Sequence, residues 1–206
     1  MKKERTRIAR DKLPERFYRF ARPILGSLYR LYYHPRIIGK ENIPKSGPII
    51  IAGNHIHAMD QCNIIVSTRR VVHYMAKKEY FDGHFAWFFN ATVCISVDRQ
   101  NKDEVAKEEA LNILEDGGAI GIFPEGTRNR TEDLLLPFKY GAVSMAKKTG
   151  AYIVPFSVSG DYKFRSKNLV IRIGKPFRIK IIPLEEANKL LYRKIKKLLL
   201  KQNKKR

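Results

Sequence analysis

The sequence has no apolar run long enough to cross a bilayer as a helix. A spanning helix needs about 20 consecutive, mostly apolar residues, and no stretch of the 206 residues approaches that length. The basic N-terminus is also not followed by the uninterrupted apolar stretch of a signal peptide. We therefore expect a protein that neither spans a membrane nor is secreted.

Cysteine is scarce as well. The sequence contains two cysteines, Cys62 and Cys94, and their spacing matches neither a disulfide framework nor a thiolate metal site. We expect free thiols in a reducing compartment. With 44% hydrophobic residues, the chain can nevertheless form one domain with a sizeable core.

Acidic residues are outnumbered: 20 of them oppose 41 lysines and arginines, and the formal net charge is +21. Residues 1–36 carry 11 cations and 3 acids, and residues 184–206 carry 9 and 2. Such ends favour contact with a polyanionic surface. A nucleic-acid-binding module is one interpretation, but the sequence has neither zinc-finger spacing nor a Lys/Arg-Gly-Phe/Tyr aromatic signature. We expect an anionic membrane surface as the partner, and no nucleic acid.

The segment 1–36 has the pattern of basic amphipathic helices at a membrane interface. From Phe17 to Tyr32 apolar residues recur at helical spacing, with arginines between them. Pro23 predicts a kink, or a break into two short helices. A helix that packs on the core and keeps a solvated basic face is the alternative. We assign residues 37–206 to one domain that ends in a basic helix and tail.

Predicted strands alternate with predicted helices along the rest of the chain. The strands are Ile49–Gly53, Val71–Met75, Cys94–Val97, Ala119–Phe123, Tyr152–Val158, Leu169–Ile173 and Phe177–Ile182. The helices are Asp60–Arg70, Asp103–Leu114, Ala142–Thr149 and a basic amphipathic helix that begins at Leu184. This alternation predicts an α/β fold with a mixed, largely parallel sheet flanked by helices and preceded by N-terminal amphipathic helices.

Two histidines and a carboxylate follow the first predicted strand. His55, His57 and Asp60 lie where α/β proteins form active sites, beyond the carboxyl end of a strand. An imidazole can take a proton from an alcohol near neutral pH, and a carboxylate can orient it. On a regular helix Asp60 would face His57, whereas a turn before the helix would favour His55. Spacing therefore leaves the choice of histidine open.

The same segment allows two other interpretations. Asp60 could serve only to cap a helix. The histidines and Asp60 could also bind a metal, but the ligands to complete such a site, His34, His73 or His84, lie in no tight motif. We predict no metal site.

A second polar group follows the strand Ala119–Phe123 and consists of Glu125, Gly126, Thr127 and Arg128. Glycine lets the backbone approach a ligand closely, threonine offers a hydroxyl, and the arginine fork matches phosphate. These properties indicate an oxyanion or phosphate site. A glycine turn with an exposed ion pair between Glu125 and Arg128 is the alternative.

Three further cations also follow predicted strands. Lys77 and Lys78 come after one strand, and Arg99 comes after another. If these strands are parallel neighbours, the cations lie near His55 and Arg128. Solvated surface charge is the alternative.

In this order, the segments resemble the phospholipid glycerol acyltransferase family, and within it the bacterial 1-acyl-sn-glycerol-3-phosphate acyltransferases. The resemblance covers roughly residues 37–182. A His-x4-Asp block alone would be common by chance, but Phe-Pro-Glu-Gly-Thr-Arg about 70 residues later makes the match specific. It assigns the catalytic pair of the family to His55 and Asp60.

The resemblance implies a reaction without a cofactor, in which coenzyme A or acyl carrier protein supplies the acyl group as a thioester. The acceptor would be the 2-hydroxyl of lysophosphatidic acid, and the product phosphatidic acid. Glycerol 3-phosphate or another lysophospholipid is the alternative acceptor. The residues expected to bind the substrate are Lys77, Lys78, Arg99, Glu125, Gly126, Thr127 and Arg128. We expect a peripheral enzyme on the cytoplasmic face of the cell membrane.

Overall fold

The computed structural model describes residues 12–84, 86–98 and 103–203. The predicted substrate-binding residue Arg99, the first 11 residues of the predicted interface segment and the last three residues of the tail lie outside the described residues.

The described chain alternates strands and helices as predicted. Its strands are β1 (Arg36–Ile38), β2 (Ile49–Gly53), β3 (Val72–Lys77), β4 (Ile95–Val97), β5 (Ala119–Ile122), β6 (Tyr152–Ser159) and β7 (Val170–Ile173). Its α-helices are α1 (Lys12–Tyr33), α2 (Asp60–Ile65), α3 (Glu79–Asp82), α4 (Ala86–Ala91), α5 (Glu104–Glu115), α6 (Gly141–Thr149) and α7 (Leu184–Asn203).

The strands form one sheet in the order β1-β7-β6-β2-β5-β3-β4. All neighbouring strands are parallel except β6 and β7. The carboxyl ends of β6, β2, β5, β3 and β4 therefore lie at the same edge of the sheet, which is where ligands bind in open α/β sheets. The predicted α/β class with a mixed, largely parallel sheet is confirmed.

The central strand β2 is buried on both faces. Ile50 and Ala52 pack in a cluster with residues of α5, α6 and α7, whereas Ile49 and Ile51 pack in a second cluster with Ile64 of α2. Burial on both faces explains why β2 is an uninterrupted apolar run rather than an alternating one. The strand holds its carboxyl end rigidly between two packed layers.

The N-terminal segment is one helix, where either a kink or a break at Pro23 was expected. Helix α1 continues through Pro23, so the predicted division into two short helices is wrong. Hydrogen bonds to the end of α2 hold α1 on both sides of the proline: Arg22 Nε donates to the Ile65 carbonyl at 2.9 Å, and Arg30 Nη2 donates to the Val66 carbonyl. These tertiary contacts offset the backbone bond that proline removes. The predicted boundary between residues 36 and 37 falls inside β1, and the division into two segments stays a prediction.

Two predicted elements differ in the structure: one helix is shorter than predicted, and one strand does not form. The helix predicted for Asp60–Arg70 ends at Ile65, where Ser67 Oγ bonds the Asn63 carbonyl at 2.5 Å and competes with the helical backbone. The strand predicted for Phe177–Ile182 is wrong, since Phe177 makes only an isolated bridge to Ile153. Strand β7 already occupies this side of β6 from Phe156 onward, so little of β6 is left to pair with.

Candidate active site

The loop between β2 and α2 is fixed to the neighbouring strand β6. A Cβ on Gly53 would lie 2.5 Å from the ring of Phe156, so only glycine allows this close packing. The buried Asn54 side chain exchanges two hydrogen bonds with the Val158 backbone, at 2.9 and 2.7 Å. These contacts place the next residue, His55, at the carboxyl edge of the sheet.

His55 and Asp60 form a hydrogen-bonded pair. His55 Nδ1 lies 2.9 Å from Asp60 Oδ2, and this oxygen also accepts the backbone N–H groups of Ile56 at 2.7 Å and His57 at 2.8 Å. The loop thus folds Asp60 back onto residues that precede α2, and the Asp60 carboxylate does not merely cap the helix. Because Asp60 is fully buried, these bonds fix its orientation.

The structure pairs Asp60 with His55 rather than His57. His57 uses its Nδ1 to accept the Met59 N–H at 3.2 Å, and its ring stacks on Tyr162 with centroids 4.1 Å apart. The turn between strand and helix therefore resolves the choice that spacing left open.

The His55 ring is oriented for chemistry at its second nitrogen. It stacks on Phe123 with centroids 4.1 Å apart and an interplanar angle of 11°, and 17% of the side chain is exposed. Because Nδ1 faces Asp60, Nε2 is the nitrogen that can reach a substrate hydroxyl. A carboxylate at Nδ1 and a partly exposed ring are what a general base requires.

Glu125 links the loop after β5 to the loop after β2. Its Oε1 accepts the His55 N–H at 2.8 Å and its Oε2 accepts the Leu136 N–H at 2.8 Å. The residue is 4% exposed, and burial raises the pKa of its carboxyl group. The alternative of an exposed ion pair with Arg128 is therefore wrong. The contact of Glu125 with a glycerol group stays a prediction.

The rest of this loop lies beside His55. Gly126 has a φ of 72°, a conformation that favours glycine. Thr127 and Arg128 are exposed, and the next residue, Asn129, donates its N–H to the His55 carbonyl at 2.7 Å. The predicted phosphate ligand Arg128 thus belongs to a segment that bonds the His55 backbone on both sides.

The lysines predicted to bind substrate lie at the same edge of the sheet. Strand β3 ends at Lys77 and is parallel to both β5 and β4, as the prediction required. Lys77 Nζ forms an exposed ion pair with Glu79 Oε1 at 2.6 Å, and Lys78 is exposed. Their contact with substrate stays a prediction.

Two residues near the site were missed in the sequence. A Cβ on Gly126 would lie 2.8 Å from Lys139 Cε, so Lys139 covers this turn, and no pattern in its surroundings indicates that. Tyr162 donates its hydroxyl to Asp60 Oδ1 at 2.5 Å. The sequence position of Tyr162 could have indicated it, because Tyr162 follows the carboxyl end of β6, the strand next to β2.

The histidines of the metal interpretation do not gather around Asp60. His73 is buried, and its Nδ1 lies 2.9 Å from the Val93 carbonyl oxygen. Among residues 12–84, 86–98 and 103–203, no three His, Cys, Asp or Glu side chains group as metal ligands would.

Comparison with known proteins gives one family. The family described as Acyltransferase matches residues 34–159. A 1-acyl-sn-glycerol-3-phosphate acyltransferase of Borreliella burgdorferi is 36% identical over 75% of this chain and 62% of its own length. One from Bacillus subtilis is 32% identical over 77% of this chain and 81% of its own. The chain thus spans less than two thirds of the Borreliella relative.

A solved structure has a similar fold. The 1-acyl-sn-glycerophosphate (LPA) acyltransferase PlsC from Thermotoga maritima superposes with a TM-score of 0.74 at 24% identity, and the match covers 97% of this chain and 85% of that one. This similarity extends to the whole described sheet and supports the α/β assignment.

Proposed function

Since the chain belongs to the Acyltransferase family, we propose that it moves a fatty acyl group from a thioester to the 2-hydroxyl of lysophosphatidic acid and so forms phosphatidic acid. The observation that carries this proposal is the His55–Asp60 pair, held beside the loop of Glu125 to Arg128 at the carboxyl edge of the sheet. The pair that would supply acid–base chemistry thus lies beside the loop that we propose to bind the phosphate.

In the proposed mechanism His55 acts as the general base. Nε2 removes the proton of the acceptor hydroxyl, and the oxygen attacks the thioester carbonyl to form the new C–O bond. The C–S bond then breaks, and the imidazolium returns the proton to the leaving thiolate. Asp60 holds the imidazole in one orientation and stabilises its charged form. The acyl group passes directly to the acceptor, with no covalent enzyme intermediate.

Arg128 is proposed to bind the lysolipid phosphate. A hydrogen bond to a charged group contributes about 1.5–3 kcal/mol, so Arg128→Ala should raise the KM for lysophosphatidic acid by roughly tenfold to hundredfold and change kcat less. Initial rates of thioester consumption at varied lysolipid concentration measure this. Arg130→Ala is the matched control, because Arg130 is exposed on the same loop. An unchanged KM in Arg128→Ala would remove this residue from the phosphate site.

An apolar groove between α1 and the end of α2 is proposed to hold an acyl chain. Its volume is about 750 Å³, and its lining includes Leu25 and Leu28 of α1 with Met59, Cys62 and Val66 around α2. Since Met59 directly precedes Asp60, the groove adjoins the loop that carries His55.

Helix α1 is proposed to contact an anionic membrane. Five of its exposed apolar side chains follow one stripe, with spacings of three and four residues: Phe17, Phe20, Ile24, Leu28 and Leu31. No helix of the described residues is both long and apolar enough to cross a bilayer. A basic helix with an exposed apolar stripe binds in the plane of the interface.

Vesicle flotation tests the membrane contact. Each exposed apolar side chain contributes about 1.5–3 kcal/mol when buried in lipid, so Phe20→Gln with Ile24→Gln should lower binding to anionic vesicles at least tenfold. Both side chains lie outside the apolar groove, and the fold should be retained. Ile181→Gln with Leu200→Gln is the control, since both are exposed apolar residues outside α1. Equal loss in both double variants would contradict a specific role for α1.

A panel of acceptors and donors tests the substrate assignment. We expect thioester consumption with lysophosphatidic acid and much less with glycerol 3-phosphate or lysophospholipids that carry other headgroups. Coenzyme A and acyl carrier protein thioesters are compared in parallel, because both are proposed donors. Faster turnover of glycerol 3-phosphate would reassign the acceptor and leave the acyl-transfer chemistry intact.

A further inference from the structure

A line of buried and half-buried hydrogen bonds runs from helix α1 to the carboxylate of Asp60. The Tyr29 hydroxyl donates to Asn63 Oδ1 at 2.8 Å, Asn63 Nδ2 donates to the Tyr162 hydroxyl at 2.5 Å, and the Tyr162 hydroxyl donates to Asp60 Oδ1 at 2.5 Å. Each group donates toward Asp60, so every member of the line has a hydrogen-bond partner. It joins α1, α2 and the loop after β6, three elements that are distant in sequence.

Loss of one of these hydrogen bonds should be costly, because most of the groups are buried. Asn63 and Asp60 are fully buried and Tyr29 is 8% exposed, and a buried polar group without a partner is costly. Burial, with Asp60 as a second cause, raises the pKa of Tyr162 far above its usual value. Tyr162 therefore keeps its proton and remains a donor to Asp60.

The rings around Tyr162 leave it little freedom. The His57 ring stacks on Tyr162 at 4.1 Å, and the Tyr33 ring of α1 meets it edge-on at 5.6 Å. Tyr33 in turn contacts Tyr29 at 4.9 Å. The last turns of α1 thus hold Tyr162 both through the hydrogen bonds and through ring contacts.

We propose that Tyr162, Asn63 and Tyr29 form a positioning relay, through which helix α1 sets the orientation of the Asp60 carboxylate. The relay holds Oδ1, and this leaves Oδ2 to face His55 Nδ1. Helix α1 then positions an active-site carboxylate, in addition to its proposed contact with the membrane. The catalytic role of the relay rests on the proposed function.

The relay predicts a graded loss of turnover in two conservative variants. Tyr162→Phe removes the donor to a buried carboxylate, so kcat should fall about tenfold to hundredfold, the usual effect of a hydrogen bond to a charged group. The KM for lysophosphatidic acid should change little, because neither Tyr162 nor Tyr29 belongs to the proposed phosphate site. Tyr29→Phe acts through two more bonds and should lower kcat by a smaller factor in the same direction.

Ser27→Ala is the control for both variants. Ser27 lies on the same helix, and its hydroxyl also donates to a carbonyl oxygen, that of Pro23 at 2.7 Å, but it belongs neither to the relay nor to the lining of the apolar groove. It should leave kcat and KM near the wild-type values. Thermal unfolding of all three variants shows whether lost stability accounts for any loss of turnover.

A second readout does not depend on activity. The Nδ1 proton of His55, assigned by its absence from the NMR spectrum of His55→Ala, reports the bond to Asp60. We expect this resonance to shift or to broaden by exchange in Tyr162→Phe and Tyr29→Phe, and to stay in place in Ser27→Ala. A wild-type chain that consumes no thioester would contradict the proposed function, while this resonance would still test the relay.

Three outcomes would overturn the relay. The first is a resonance and a kcat that remain at wild-type values in Tyr162→Phe. The second is a loss of kcat that only follows the fraction of unfolded protein, with an unmoved resonance. The third is an effect of Tyr162→Phe that Tyr29→Phe does not share, since it would separate α1 from the site.

Discussion

His55→Ala is expected to lower kcat for acyl transfer by about 10² to 10⁴-fold, the usual contribution of a general base. Alanine removes the ring and its Nε2 but keeps the backbone bonds of residue 55 to Glu125 and Asn129. The loop should therefore keep its shape, and the free energy of unfolding should change little. Initial rates of thioester consumption and thermal unfolding of the same preparation measure the two quantities.

His57→Ala is the control for this variant. The backbone N–H of His57, which bonds Asp60 at 2.8 Å, survives the change, whereas the stacking on Tyr162 and the bond from the Met59 N–H to the His57 ring are lost. We expect a much smaller decrease in kcat. Near-normal turnover in His55→Ala, or an equal loss in both variants, would contradict the role given to His55.

Asp60→Asn should have an effect of similar size. In the wild type the two carboxylate oxygens face four partners: His55 Nδ1, the N–H groups of Ile56 and His57, and the Tyr162 hydroxyl. The asparagine amide has only one oxygen that can accept hydrogen bonds. Its NH2 group cannot accept, so it would face N–H or O–H donors with which it makes no bond. The imidazole then loses its orienting charge, and kcat should fall about 10⁴-fold, as in catalytic triads with the same change.

The same substitution should also destabilise the fold. Each buried donor left without a partner costs about 1–3 kcal/mol, so thermal unfolding of Asp60→Asn should begin at a lower temperature than that of His55→Ala. Kinetics measured well below this transition separate the two effects. An active Asp60→Asn protein would show that the carboxylate neither orients nor stabilises His55.

Most of the long strands were predictable because they are largely apolar runs between polar or glycine-rich turns, whereas the short β1, Arg36–Ile38, was not predicted. The bounds of β2 match the prediction, Ile49–Gly53, since a strand buried on both faces contrasts sharply with its neighbours. Phe177–Ile182 has the same local pattern, but the strand predicted there does not form. Pairing depends on which neighbouring strand is free, and this is a property of the assembled sheet.

The candidate site was predictable in part for the same reason. His55, Asp60, Glu125 and Arg128 all follow apolar strands, and parallel order brings such strand ends together. The local pattern could not predict the hydrogen bonds between these segments. Glu125 looks like an exposed charge in the sequence but is 4% exposed and bonds the His55 backbone. Tyr162 contacts Asp60 across 102 residues.

Above all, we propose that the chain transfers an acyl group directly from a thioester to lysophosphatidic acid. The most direct test incubates the purified chain with an acyl thioester, with and without lysophosphatidic acid, and quantifies free thiol and lipid product by mass spectrometry. We expect phosphatidic acid and thiol in equal amounts, and almost no thiol without the acceptor. Thiol release without acceptor that leaves the acyl group on the protein, or no phosphatidic acid at all, would contradict this proposal.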